Sequence, residues 1–337
     1  MNPLDERMHP VGNEPAWSES YYFNFVDPDR KIGMFTRMGF RPGDGWADGL
    51  HAVYLGGDRV AFTYGRRDID PGLHRYGHDP TRRGLSPGCV VPFRNWEIGY
   101  RGPAQDIADA AILLERRKAR PPGWYAPATL DMTVDFNALS DPHYAANGAR
   151  GHFEQTGSVR GNITLTGAGD RESFTVSGFG VRDKSWGPRD WGAGAASGGT
   201  TRAARPSGPA PFVNWFSMNF GPGLAMGGSC FRHADGALRG AGWIHRDGRT
   251  EDLLDVVIES TYRPDSIWHT AIRLTGRAAS GGRVAVDGRI LTICPTKIPM
   301  AGGATFVNEG LAEFTTAGMT GYGISEHWHA VQKGDEA

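Results

Sequence analysis

The chain has 337 residues, room for one large all-β domain or two domains of ordinary size. Basic and acidic residues nearly cancel, 36 against 37, which argues against recognition of nucleic acid or a membrane surface through bulk electrostatics. Glycine and proline make up about a fifth of the chain beside ten Trp and 16 Phe, a composition suited to many short strands joined by turns around an aromatic core.

The opening MNPLDERMHP has no basic stretch followed by an apolar one, so no secretory signal is expected and the cytoplasm is the simplest address. From Tyr21 onward, runs rich in β-branched and aromatic residues alternate with turn residues. Gly33–Arg41, Gly49–Leu55 and Arg59–Tyr64 read as strands, the last two as a hairpin across Gly56-Gly57. Gly84-Leu85-Ser86-Pro87-Gly88 matches a nucleophile-elbow pattern, but it leads into a strand and Pro87 occupies the slot that must supply an N–H, so no elbow is expected. Val90–Tyr100 reads as a strand, and Pro103–Ala119 as the one short helix, with Ile107, Ala111, Leu114 and Lys118 at three-to-four spacing before Pro121-Pro122. Strands follow over Ala128–Leu139, Gly151–Val159, Asn162–Thr166 and Ser173–Val181.

Residues Ala193–Ala210 are almost entirely Gly, Ala, Ser, Thr and Pro, which places a linker or a lid there, between a first domain over 1–192 and a second over 211–337. Pro206–Phe231 carries no charge, but its prolines and glycines break any helix, so no membrane insertion is expected. Strand patterns then continue from Phe212 to Ala330. Strands this numerous around one helix favour antiparallel barrels or sandwiches over a βαβ fold. Cys89, Cys230 and Cys294 are odd in number and widely spaced, which indicates neither a disulfide framework nor a thiolate zinc site.

Chemistry concentrates in Val181–Trp191, VRDKSWGPRDW. If the preceding strand continues, Phe179, Val181 and Asp183 share one face, and Gly180, Arg182 and Lys184 the other. Were the first face internal, Asp183 would be a carboxylate among aromatics, a proton donor if desolvation dominates or a structural ion-pair partner if Arg182 or Arg189 neutralises it. In GYGISEHWHA, Tyr322, Ile324, Glu326 and Trp328 share a face, so Glu326 is either paired with an arginine or used in proton transfer. His327 and His329 fall on the other face without an evident third ligand, and read as polar residues on a solvent-facing or loosely packed face; no metal is expected. Glu154, Trp215, Asn219, Trp243 and His245 set further polar and aromatic groups within strands, the mixture that lines a pocket for a hydrophobic small molecule.

The stretches ESYYFNFVDP, GMFTRMGFRP, HFEQTG, RDKSWGPRDW and NEGLAEFTTAGMTGYGISEHWH resemble the AttH-like, carotenoid-hydratase-like superfamily, with Lys184 standing where that family's string has histidine. The resemblance implies two lipocalin-like β-domains side by side, and chemistry on hydrophobic, often isoprenoid, substrates without a cofactor. The resulting expectation is a lyase, hydratase or isomerase. Asp183 and Glu326 would exchange protons, Arg182 and Arg189 would orient them or a substrate oxyanion, Lys184 counts with them as a catalytic candidate, and Trp186, Trp215, Trp243 and Tyr322 would wall the substrate. The alternative is a non-catalytic carrier of the same kind of ligand, and the oligomeric state stays open between monomer and homodimer.

Overall fold

The computed structural model describes residues 1–10, 16–69, 85–145, 151–188, 211–233, 235–300 and 303–332. It divides into two compact units, Met1–Ala108 with Tyr125–Arg189, and Asp109–Trp124 with Asp190–Ala337. Both are all-β. The linker expected over 193–210, and Arg189, lie outside the described residues. Among the described residues, no helix is long and apolar enough to cross a membrane.

Unit one contains β1 (Trp17–Asp27), β2 (Ile32–Arg41), β3 (Trp46–Tyr54), β4 (Val60–Asp68), β5 (Leu85–Val91), β6 (Asn95–Ile107), β7 (Ala126–Ala138), β8 (His143–Tyr144), β9 (Gly151–Thr166) and β10 (Arg171–Pro188). They form an antiparallel sheet ordered β10-β1-β2-β3-β4-β6-β7-β9-β8, with β5 beside β6, and the further pairing of β9 with β10 brings the sheet round on itself. Its core is aromatic, with Tyr21, Phe23, Phe25, Trp96 and Phe136 among the buried residues.

Unit two is a closed antiparallel barrel of β11 (Val213–Asn219), β12 (Leu224–Arg232), β13 (Leu238–Arg246), β14 (Arg249–Tyr262), β15 (His269–Ala278), β16 (Arg283–Met300), β17 (Gly303–Thr316) and β18 (Met319–Gln332). Closure leaves no edge strand. Phe216, Met218, Met226, Ile244, Ile272 and Phe314 lie in its core.

The expected helix over Pro103–Ala119 is not formed. Residues up to Asp106 pair with β7, from Asp106↔Ala126 back to Asn95↔Asn137, Ile107 pairs with Val60 of β4, and only a 3-10 turn over Ala110–Leu114 follows, begun by Asp109 accepting from the Ala111 N–H. Two turns of apolar spacing are too short to hold a helix in water, and sheet pairing wins. The expected strand Val90–Tyr100 is a hairpin instead, turning at Phe93, whose φ of 58° is left-handed. That conformation, costly for a bulky residue, is held from both sides: the Phe93 N–H donates to Glu6 and its carbonyl accepts from Gln155.

Candidate functional site

β10 runs unbroken through the charged motif because its backbone is paired on both sides, with β1 as far as Pro188 and with β9 as far as Trp186. The parity expected from the sequence holds. It is the face of Arg182 and Lys184, not that of Asp183, that enters the aromatic core. Arg182 is therefore not an orienting group for Asp183. Its guanidinium forks onto Glu6 at 2.8 and 2.6 Å, and its Nε donates to Gln155 Oε1 at 2.8 Å. Gln155 in turn donates to the carbonyls of Phe93 and Ser140. Lys184 donates to Glu19, which also accepts from the backbone N–H of His9 and meets the His9 ring at Nδ1. Burial pulls the Lys184 ammonium below the usual lysine range, and Glu19 opposes it. Trp186, expected as a substrate wall, stacks on His9 with ring centroids 4.0 Å apart. Its indole occupies the space of a side chain at Gly151, where a Cβ would fall 1.8 Å from the ring. These groups close the interior of unit one.

Asp183 lies on the opposite face of β10, in register with Tyr22 on β1 and Glu154 on β9. Two residues before Glu154, and so on its face, stands His152. Its Nε2 meets Glu154 Oε1 at 3.0 Å and its Nδ1 lies 3.4 Å from Asp183 Oδ2. An imidazole bracketed by two carboxylates can take a proton at one nitrogen and release one at the other. Glu154 is almost wholly covered, whereas His152 and Asp183 keep 14 and 13% of their side-chain surface, enough to meet a bound molecule. One atom from each residue lies within 4.8 Å of the others, so the three could also share a divalent cation. Sequence reading picked out Asp183 and Glu154 and passed over His152. The signal was present in HFEQTG, a His and a Glu at strand spacing.

In unit two, the outward face of the barrel carries the residues expected at a pocket. Trp215 stands opposite Glu326 and Asn219 opposite Tyr322, with Trp243 and His245 two strands away. Phe216, Met218 and Ile244, one position out of phase, point into the core. Trp215, Asn219, Trp243, His245 and Glu326 are nonetheless buried. Glu326 accepts from the Trp328 indole N–H and is in register with Glu309. Tyr322 donates to Glu313 at 2.9 Å. His245 Nδ1 lies 2.9 Å from the Thr250 hydroxyl, and burial lowers its pKa.

His327 and His329 are not on an exposed or loose face. Both are buried, on the inward side of β18. A register shift between Thr261 and Tyr262 sets Tyr262 opposite His269, and the His269 ring stacks on His327 with centroids 3.7 Å apart. Tyr262 Oη meets His327 Nδ1 at 2.8 Å, and His269 Nε2 donates to the Ser325 carbonyl at 3.0 Å. Gly310 leaves room for this ring, since a Cβ there would lie 2.7 Å from His269 Nε2. Desolvation lowers the His269 pKa to about 3 and holds that of His327 well below the histidine range. Asn214 and Asn308 flank His327 in register. Among the described residues, both amide atoms of Asn214, Oδ1 of Asn308, Nε2 of His327 and Nδ1 of His269 have no hydrogen-bond partner. Such groups cost about 1–3 kcal/mol each and are few in native proteins. The sequence marked His327 and His329 but not their partners, because Tyr262 and His269 reach the cluster through the register shift.

The model of a domain of unknown function (DUF7064) matches residues 2–331. A search of curated protein sequences returns no match. Among solved structures, the chain is similar to CghA in its complex with Sch210972, at 12% identity over 94% of this chain and 89% of that one, with a TM-score of 0.58. It is also similar to a protein assigned as AttH from Nitrosomonas europaea, at 13% identity over 96 and 95% of the two chains and a TM-score of 0.53. Kievitone hydratase from Nectria haematococca matches at 9% identity over 98 and 93%, with a TM-score of 0.54. These likenesses show a shared fold, the one the sequence resemblance led us to expect.

Proposed function

This chain belongs to the DUF7064 family, and from that premise we propose that it is a cofactor-independent lyase, hydratase or isomerase acting by acid–base chemistry on a hydrophobic, isoprenoid or aromatic small molecule. The observation that carries the reading is the His152 ring set between Glu154 and Asp183. In the hydration direction, protonated Asp183 gives its proton to a double bond, water adds to the cation that develops, and the proton the water loses returns to Asp183 through His152, whose ring Glu154 holds in place. Dehydration runs the steps in reverse. Positioned acid–base groups contribute about 10²- to 10⁴-fold in rate, which suffices for allylic or benzylic substrates. The name of kievitone hydratase, a protein of the same fold, supports the class of chemistry.

The test is a panel of isoprenoid and prenylated aromatic alcohols and alkenes, assayed by mass spectrometry for gain or loss of water and for deuterium uptake from D₂O. The parent is expected to turn over at least one compound in the presence of chelator. Asp183→Asn and His152→Gln should each lower kcat by about 10²- to 10⁴-fold with ligand affinity little changed. Binding without conversion would make the protein a carrier, and variants as active as the parent would remove the acid–base assignment.

A further inference from the structure

The inward face of β11, β18 and β17 brings Asn214, His327 and Asn308 abreast on three adjacent strands, each fully buried. The atoms without partners there are of two kinds. Asn214 Oδ1, Asn308 Oδ1 and His269 Nδ1 are acceptors, the last because Nε2 of that ring donates to Ser325. Asn214 Nδ2 is a donor, and His327 Nε2 takes whichever role its Nδ1 leaves when it meets Tyr262. A group that both gives and receives hydrogen bonds serves both kinds, and a hydroxyl, which donates one and accepts two, is the smallest organic one.

All the side chains named are neutral, and burial keeps the His269 and His327 imidazoles unprotonated, so neither an anion nor a cation finds its counter-charge among them. The stacked His269 and His327 rings and Tyr262 give aromatic surface beside the polar atoms, and Phe216, Met218 and Ile272 continue the interior as apolar wall.

We propose that this end of the barrel is a second binding site, for a small uncharged alcohol or phenol whose hydroxyl is held by Asn214, His327 and Asn308. The site lies within unit two alone and does not rest on the acid–base reading of Asp183.

The experiment uses the full chain labelled with ¹⁵N-histidine and follows the ring nitrogens while phenol, 2-propanol or toluene is titrated in. Phenol and 2-propanol should shift His269 and His327 saturably, leaving the unit-one ring His51 unmoved. Toluene, which has the ring but no hydroxyl, should bind at least tenfold more weakly than phenol. His327→Phe keeps the stacked ring without its nitrogens, and Asn214→Leu keeps volume without the amide. Each should weaken phenol binding at least tenfold. Absence of saturable shifts with both hydroxyl compounds, toluene binding as well as phenol, or either folded variant binding as the parent does would overturn the proposal. The phenol and toluene comparison decides it even if both variants fail to fold.

Discussion

In unit one the clustered inward-facing polar residues are Arg182, Lys184, Glu19 and Gln155, met by Glu6 from the N-terminal segment, and their hydrogen bonds interlock. In unit two they are Asn214, His269, His327 and Asn308, and atoms on every one lack a partner among the described residues. The two clusters handle desolvation in opposite ways, and His51 of unit one, with neither ring nitrogen partnered among the described residues, belongs with the second. A buried charge survives only with a counter-charge in place, so the charged interior is self-sufficient and holds the fold. Neutral amides and imidazoles can be buried incompletely satisfied at moderate cost, which leaves capacity for something else to bind. Charge density, the feature that drew attention to the β10 motif, therefore marks architecture on one face of the strand. The chemistry we propose lies on the other.

The largest effect that tests this contrast is removal of Glu6. Glu6→Ala leaves the Arg182 guanidinium buried without its carboxylate and should cost about 3–5 kcal/mol in chemical denaturation, whereas the double change Glu6→Leu with Arg182→Met should recover most of the loss. A cost below about 1 kcal/mol for the single change would show that unit one's charges are not holding its interior together.

Next comes a matched pair of amide deletions. Gln155→Leu strands Arg182 Nε and two carbonyls, and should destabilise by about 2–3 kcal/mol. Asn214→Leu removes two atoms that have no partner, and should change stability by less than about 1 kcal/mol, toward greater stability. Equal costs would erase the distinction between the interiors.

The smallest effect per group is the response to acid. His269 titrates near 3 when folded and His327 well below 6.5, while both take up protons near 6.5 when unfolded. The unfolded state therefore binds more protons as the pH falls below about 6.5, and the stability present above that value is lost progressively toward pH 3, by up to about 1.4 kcal/mol per pH unit for each ring. His51 in unit one, fully buried and also lowered to about 3 by desolvation, behaves alike. Thermal melts from pH 7.5 to 5 should fall less steeply in His327→Phe than in the parent; an unchanged slope would mean that this ring is protonated in the folded state.

Much of this was legible in the sequence. The strand texture, the hairpin at Gly56-Gly57 and the alternation through Arg182, Asp183 and Lys184 all follow from a period of two residues, which is a property of the local chain. The site was legible in part. Asp183 and Glu154 were singled out, but His152 between them was not, because cross-strand register decides that Glu154 faces Asp183. The histidines of β18 were placed on the wrong kind of surface, since alternation distinguishes two faces and does not say which one a barrel encloses.

Sequence by itself determined that the chain is all-β, which residues share a strand face, and where charge and aromatic groups concentrate, because each depends on neighbours within a few positions. Tertiary structure alone decided that Arg182 meets Glu6, 176 residues away, that Asp183 faces an imidazole, and that Tyr262 and His269 join His327 inside a barrel. Those pairings are fixed by strand order, register and closure, which arise from contacts between distant segments and leave no periodic trace in either one.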